Sequence, residues 1–204
     1  MDRLPPDLQH VSPHSWLSEE LKQSYEERIA RKGFFELYVS KLAMQKMINH
    51  SKMLGREERE AMGFMLGDIC RHESHGFVMV RDIVTGDLLS SCDSVRFDHG
   101  NLQGLFKELD ASGFDYVIVG WYHSHPGFGC FMSKTDMKTQ STLFSERFHS
   151  AIVIDPVREE IMAFRLRGKR CAPLDFSVYW HELETPYRGK KIMRRSRVLR
   201  RDRR

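Results

Sequence analysis

The residues with the clearest chemical potential lie between Val117 and Gln140. An apolar run over 116–122 predicts a buried strand, and His123 and His125 follow it directly. Because side chains alternate between the two faces of a strand, histidines at positions i and i+2 point the same way. Two imidazole nitrogens on one face can bind one metal ion.

A third ligand is predicted in the segment that follows the histidines. Pro126 and the glycines after it indicate a sharp turn, and Ser133 is predicted to be the N-cap of a helix over 134–146. Asp136 then falls in the first helical turn, where a carboxylate suits the helix dipole and can reach back toward the histidines. Two nitrogens and one oxygen match a catalytic zinc site whose fourth position is left for water.

These residues, with their spacing, resemble the JAMM (MPN+) metalloprotease motif. The matching residues are His-Ser-His-Pro at 123–126, Ser133 and Asp136. The remaining member of the motif is a glutamate in an upstream Glu-x-x-Gly segment, which corresponds here to Glu60 in the segment 60–63. The stretch 120–130 is most similar to the deubiquitinating and deneddylating subunits of the proteasome lid and the signalosome. The resemblance extends over roughly residues 35–166.

The resemblance implies a role for each of these side chains. His123, His125 and Asp136 would bind one Zn²⁺ ion, which makes hydroxide available from water at neutral pH. Glu60 would take the proton of that water and pass it to the departing amine. Ser133 would stabilise the negative charge that develops on the carbonyl oxygen. Other zinc classes fit worse, since the sequence has no His-Glu-x-x-His and no nucleobase-deaminase pattern.

The resemblance also implies the fold and a substrate-contacting segment. The expected fold is α/β, with a single MPN domain in which a curved mixed sheet is flanked by helices and the zinc lies at the rim of the sheet. In this family an insertion beside the active site guides the extended tail of the modifier. Ser91, Val95 and Phe97 are therefore candidate substrate contacts, although an inert connecting loop is an equal alternative at this stage.

The function implied by the resemblance is that of a zinc-dependent isopeptidase. Its substrate would be ubiquitin or a ubiquitin-like modifier, cut after the C-terminal Gly-Gly in conjugates or precursors, and a proteasome-type assembly is an implied partner. Two alternatives stay open. One is a JAMM peptidase acting on a sulfur-carrier protein, and the other is an MPN scaffold subunit of a larger assembly.

The composition of the chain limits the classes of protein to which it can belong. The chain has 204 residues, of which 41% are hydrophobic and 29% charged, so one globular domain with terminal extensions is expected. No apolar run approaches the roughly 20 residues of a membrane span, and the first residues lack a signal-peptide core, which favours a cytoplasmic protein without membrane contact. The four cysteines contain no Cys-x-x-Cys pair and indicate neither a disulfide framework nor a four-thiolate zinc site.

The predicted organisation has three parts: an N-terminal extension over 1–33, the metalloprotease domain over 34–184 and a basic tail over 185–204. Ten basic residues and one acidic residue from Arg188 onward give the tail a charge of +9, against −5 for the rest of the chain. Binding of nucleic acid through this tail is an alternative, but a solvated tail is favoured.

The remaining elements follow from hydrophobic periodicity. The first residues, 1–15, are expected to be an irregular arm, and 176–180 either an edge strand or the start of a last helix. Predicted helices cover 16–32, 42–54 and 102–109, and predicted strands cover 35–39, 61–67, 76–84, 150–155 and 160–166.

Overall fold

The computed structural model of the chain describes residues 4–85, 90–91, 94–95 and 116–180. A short 3₁₀ helix at Leu8–His10 precedes the first strand. The strands are β1 (Val11–Ser12), β2 (Leu37–Ser40), β3 (Met62–His72), β4 (His75–Val84), β5 (Ser90–Ser91), β6 (Ser94–Val95), β7 (Val117–Ser124), β8 (Ser150–Asp155), β9 (Glu160–Arg167), β10 (Arg170–Leu174) and β11 (Ser177–Tyr179). The α-helices are α1 (Glu19–Lys32), α2 (Lys41–Gly55) and α3 (Lys134–Leu143).

Nine of these strands form one mixed sheet, in the order β1-β11-β2-β4-β3-β7-β8-β9-β10. The β11/β2, β2/β4 and β7/β8 pairs are parallel, and the other neighbours are antiparallel. The two remaining strands, β5 and β6, form a separate two-stranded sheet within the part of the chain that the structure describes. The predicted α/β fold with a curved mixed sheet is confirmed.

Helix α2 supplies much of the larger hydrophobic core. Its methionines at helical spacing, Met44 and Met47, are buried against strand residues such as Val80 and Ile152, as the sequence pattern predicted. Ser40 caps the helix by accepting the backbone N–H of Ala43 at 3.0 Å. A second core cluster contains Phe64 and other strand residues together with Phe144, which directly follows α3.

The N-terminal residues are more ordered than the sequence indicated. The prediction of an irregular arm is wrong at Val11 and Ser12, which pair antiparallel with Tyr179 and Val178. Residues 177–179 accordingly form an inner strand, not the predicted edge strand or last helix, since β11 lies between β1 and β2. The β1/β11 pairing joins segments more than 160 residues apart in the chain, so no local pattern could reveal it.

Helix α1 also packs on the domain, as its apolar residues predicted. Leu17 and Leu21 contact the main core, while Tyr25 and Ile29 contact a third apolar cluster. Arg28 holds the helix by donating from Nε to Asp175 at 2.7 Å. The extension over 1–33 is therefore joined to the sheet through its described residues.

Several boundaries differ from the predicted ones. The strand predicted over 61–67 begins at Met62 and continues to His72, and α3 ends at Leu143 and not at residue 146, with Phe144 as its C-cap. Cys70, Cys130 and Cys171 are free thiols, as expected. The helix predicted over 102–109, the boundary at residue 184, the basic tail and Cys92 lie outside the described residues.

Within the described ranges, no helix is both long enough and apolar enough to cross a lipid bilayer.

A bulge at Gly120 sets the direction of the side chains at the end of β7. The register against β3 shifts at this point, because Met65 pairs with Gly120 while the next residue, Leu66, pairs with Ile118. As a result Val119 and Tyr122 both enter the main core, and Trp121 joins the cluster on the other face. Because of the bulge, Trp121 and the two histidines that follow it at alternate positions lie on the face of the sheet opposite α2.

Replacing Gly120 by alanine is expected to destabilise the protein strongly. Gly120 has a φ of 153°, and a Cβ there would lie 2.0 Å from the backbone oxygen of Ser150 in β8. Because backbone must move to relieve this overlap, we expect Gly120→Ala to lower the free energy of unfolding by about 3 kcal/mol or more. Chemical denaturation measures this change. Gly168→Ala is the matched control for a positive φ without a clash, since no atom lies within 4 Å of its Cβ position.

Candidate metal centre

The histidines lie where β7 leaves the sheet, next to the start of β3. Met62 pairs with His123, and Ala61 and Ser124 exchange two hydrogen bonds: the backbone N–H of Ala61 donates to Ser124 Oγ at 2.7 Å, and the N–H of Ser124 donates to the oxygen of Ala61 at 2.9 Å. Directly opposite residues share a face of an antiparallel pair. Continuing this register by one residue brings Glu60 opposite His125, at the rim of the sheet.

Both imidazoles are buried, and they contact each other. Their ring centroids are 4.8 Å apart, in a T-shaped arrangement. Ser124, between them, points to the other side and is used in the strand pairing. The prediction that His123 and His125 share one face is therefore confirmed.

The third residue is delivered by the start of α3. Ser133 is the N-cap, as predicted, and forms a capping box with Asp136: Ser133 Oγ accepts the N–H of Asp136 at 3.1 Å, and Asp136 Oδ2 accepts the N–H of Ser133 at 2.7 Å. This arrangement aims the carboxylate away from solvent. Asp136 Oδ2 consequently lies 3.4 Å from Nε2 of His123 and 3.5 Å from Nε2 of His125.

The three donor atoms fit a tetrahedral metal ion. They all lie within 4.8 Å of one another. With ligand bonds of about 2.05 Å, the donors of a tetrahedral zinc ion are about 3.3 Å apart, close to the two distances above. His123 is 1% exposed, and among the described residues neither of its ring nitrogens has a hydrogen-bond partner. A buried nitrogen without a partner costs free energy, and a bound ion would remove that cost at Nε2.

The electrostatics of His123 and Asp136 favour the protonation states that a metal ion needs. Burial lowers the pKa of His123, although Asp136 opposes this shift, so that the imidazole is neutral at pH 7. Burial alone would raise the pKa of Asp136, but both imidazoles and Ser133 hold it well below its usual range. An ionised carboxylate beside a neutral imidazole is the state in which these residues bind metals. At His125 burial lowers the pKa, but Asp136 and Glu60 outweigh it and raise the pKa above its usual value.

Glu60 has a different environment from the three donors. Burial raises the pKa of its carboxyl group, and Asp136 adds to the increase while His125 opposes it. These influences show that Glu60 lies within electrostatic reach of both residues. It precedes β3 in an extended position and is half-buried, at the rim of the sheet as predicted. A carboxylate with a raised pKa exchanges protons more readily near neutral pH.

Two residues that support the site were missed by sequence reasoning. The Trp121 ring stacks on His123 with centroids 4.4 Å apart and an interplanar angle of 12°. Its Nε1 donates to Oε1 of the buried Gln140 at 2.8 Å, and Nε2 of Gln140 donates to the oxygen of Phe144 at 2.8 Å. Gln140 lies one helical turn after Asp136 and therefore on the same face of α3. This spacing was the available sequence signal that Gln140 is near the candidate metal site.

The candidate substrate contacts are described only in part. Ser91 pairs with Ser94 and Val95 with Ser90 in the small β5/β6 sheet. Phe97 lies outside the described residues. The role of this segment stays a prediction.

The architecture and the site together define a class: a mixed α/β sheet with a candidate His-His-Asp metal centre at the end of an inner strand. In agreement, residues 33–146, more than half of the chain, match the family described as JAB1/Mov34/MPN/PAD-1 ubiquitin protease. The chain belongs to this family.

Curated relatives support this assignment. The 26S proteasome regulatory subunit RPN11 of Eremothecium gossypii is 36% identical over 141 residues, which are 64% of this chain and 42% of that protein. The ubiquitin carboxyl-terminal hydrolase RPN11 of Saccharomyces cerevisiae is 34% identical over 141 residues (64% and 43%), and the COP9 signalosome complex subunit 5 of Debaryomyces hansenii is 36% identical over 135 residues (63% and 27%). The chain thus spans less than half the length of these relatives.

The solution structure of protein DSY2949 from Desulfitobacterium hafniense has a similar fold. Its TM-score is 0.55 at 18% sequence identity, with 71% of this chain and 94% of that chain covered. At this identity the similarity concerns the fold alone.

Proposed function

We propose that the protein is a zinc-dependent isopeptidase that hydrolyses the bond after the C-terminal Gly-Gly of ubiquitin or a ubiquitin-like modifier. The observation that carries the proposal is the convergence of His123, His125 and Asp136 on one point, with the buried Nε2 of His123 lacking any other partner. A scaffold domain would have no need to hold an ionised aspartate and an unpaired imidazole together in its interior, where such groups are costly.

In this proposal the three donors hold the ion and Glu60 moves the protons. If bound by these residues, a zinc ion would lower the pKa of a bound water to about 7 and would polarise a carbonyl oxygen. Glu60 is not one of the donors, so its carboxylate is free to take the proton of the attacking water. Because burial raises its pKa, the same carboxyl can then return that proton to the departing amine.

Ser133 is the proposed donor to the developing oxyanion. Its Oγ already accepts the backbone N–H of Asp136, and this bond fixes the oxygen beside the metal ligand. A hydroxyl that accepts one hydrogen bond keeps its own hydrogen for donation. The substrate carbonyl would receive this hydrogen bond as charge builds on its oxygen.

The substrate class is supported by the relatives. One is named a ubiquitin carboxyl-terminal hydrolase, and others are named regulatory subunits of the 26S proteasome. The family description likewise names a ubiquitin protease. A ubiquitin-like substrate and a proteasome-type assembly are accordingly the partners proposed for this chain.

Purified protein loaded with zinc tests the proposal. We expect it to cleave isopeptide-linked conjugates or C-terminally extended precursors of ubiquitin or a ubiquitin-like protein, with new C-terminal Gly-Gly ends detected by mass spectrometry. A sulfur-carrier protein with an extra C-terminal amino acid is offered in parallel. Cleavage of that substrate alone would replace the modifier proposal by the sulfur-carrier alternative, and cleavage of neither by protein with bound zinc would leave the scaffold role.

A further inference from the structure

The loop that follows the histidines is held by one buried carboxylate, that of Asp155 at the end of β8. Asp155 is 0% exposed. Its Oδ1 accepts the backbone N–H of Gly127 at 2.9 Å, and its Oδ2 accepts the N–H of Gly129 at 2.7 Å. Oδ1 also accepts the N–H groups of Val157 and Arg158 at 2.9 and 3.1 Å. The same side chain therefore binds the backbone of two loops, the one after the histidines and the one between β8 and β9.

The backbone of the metal loop is shaped to make these bonds. Gly127 and Gly129 both have a φ of 84°, a conformation that residues with a Cβ rarely adopt. This conformation lets two N–H groups, separated by one residue, converge on one carboxylate. Pro126 and the two glycines were read from the sequence as a turn, but its buried partner 26 residues away could not be identified there.

Gly129 connects this carboxylate to the metal centre. Its carbonyl oxygen lies 3.3 Å from Nδ1 of His125. A carbonyl can only accept, so the hydrogen bond requires the proton of His125 to be on Nδ1. In that tautomer Nε2 carries the lone pair, and Nε2 is the nitrogen that lies 3.5 Å from Asp136 Oδ2.

We propose that Asp155 is a positioning residue for the metal centre: by anchoring Gly129, it holds the carbonyl that fixes His125 in the Nδ1–H tautomer with Nε2 directed at the ion. This inference rests on the proposed function, since it takes His125 to be a metal ligand. Metal-binding histidines commonly donate their other ring N–H to an oxygen, and loss of such a partner typically lowers metal affinity about 10- to 100-fold. Here the oxygen is a backbone carbonyl, and Asp155 is what keeps it in place.

The tautomer of His125 in the metal-free protein provides a test that is independent of activity. Nitrogen-15 NMR distinguishes the two neutral tautomers of an imidazole. Because Asp136 and Glu60 raise the pKa of His125 against the effect of burial, the spectra are recorded at an alkaline pH at which its imidazole is neutral. Under that condition we expect the wild type to show His125 as the Nδ1–H form and Asp155→Asn to show a mixture of tautomers. A wild-type His125 with its proton on Nε2, or with rapidly averaging tautomers, would overturn the inference even if the variant cannot be folded.

Zinc affinity, measured by competition with a chelator, provides the second test. Asp155→Asn keeps the size of the side chain but replaces one acceptor oxygen by an NH₂ group that faces backbone donors. We expect its zinc dissociation constant to rise about 10- to 100-fold. Asp175→Asn is the matched control, because that carboxylate accepts from Ser24 and Arg28 of α1, and its zinc affinity should equal that of the wild type.

The outcomes separate this inference from the proposed function. A folded Asp155→Asn protein that binds zinc within threefold of the wild type would refute the role of Asp155 and leave the metalloprotease proposal intact. A wild type that binds no zinc but shows the fixed Nδ1–H tautomer would refute the proposed function and retain the link from Asp155 to His125. Equal losses of zinc affinity in Asp155→Asn and Asp175→Asn would mean that Asp155 only contributes to the general stability of the fold and does not position His125.

Discussion

Replacing Glu60 by glutamine is expected to lower the rate of conjugate cleavage by about 100- to 10,000-fold, the usual contribution of a general acid and base. Glutamine has nearly the same size and stays at the rim of the sheet, but it cannot accept and return a proton. Because the metal donors are His123, His125 and Asp136, zinc should still bind at one ion per chain. Single-turnover cleavage assays measure the rate, and metal analysis of the same preparation measures the zinc.

A matched control for this change exists in the same charged segment. Glu57 is three residues earlier, and its carboxylate accepts from Arg59 at 3.0 Å with its side chain 57% exposed. Glu57→Gln should cleave at the wild-type rate. If Glu60→Gln retained more than about a tenth of the activity, or if it lost zinc together with activity, Glu60 would not be the proton-transfer group.

The candidate metal donors could be predicted from the sequence because their geometry is local. Alternation along one strand is enough to bring His123 and His125 to one face, and a capping box within four residues is enough to aim Asp136. Each of these rules acts over a few residues and does not depend on the rest of the fold. For this reason the three side chains predicted to converge do lie together in the structure, with their ligand atoms within 4.8 Å of one another.

Glu60 was different, since it is 63 residues from His123 and no local rule joins them. The resemblance to the JAMM motif, together with the apolar strand that follows at 61–67, singled it out from a run of charged residues that would otherwise be read as a solvated segment. The structure supplies the physical reason: antiparallel pairing of β3 with β7 starts at Met62 and His123 and carries Glu60 to the histidines. Pairing register over such a separation is not encoded in the pattern of either strand.

The features that sequence reasoning missed are non-local or irregular in the same way. The β1/β11 pairing joins the two ends of the described chain, and the carboxylate of Asp155 reaches a loop from another strand. The bulge at Gly120 could have been predicted from the sequence, because a glycine inside an apolar strand often marks a bulge. Its consequence, that Val119 and Tyr122 share a face, required the register against β3.

Zinc is expected to stabilise the folded protein, and the gain should depend on Asp136. An ion that binds only the folded state adds about 2.7 kcal/mol to the free energy of unfolding when its free concentration is 100 times the dissociation constant. Asp136→Asn can still accept the N–H of Ser133 and so keep the start of α3, but a neutral amide is a poor zinc ligand. If the variant binds 100-fold more weakly, the gain at the same zinc concentration falls to about 0.4 kcal/mol.

Denaturant unfolding with and without zinc measures this difference for the wild type, Asp136→Asn and the control Asp175→Asn. The control is expected to lose stability in both conditions yet to gain as much from zinc as the wild type, because its carboxylate contacts α1. An equal gain in Asp136→Asn would mean that zinc binds elsewhere on the chain. No gain in the wild type would mean that the buried Nε2 of His123 is not a zinc ligand, and the hydrolytic mechanism would fail with it.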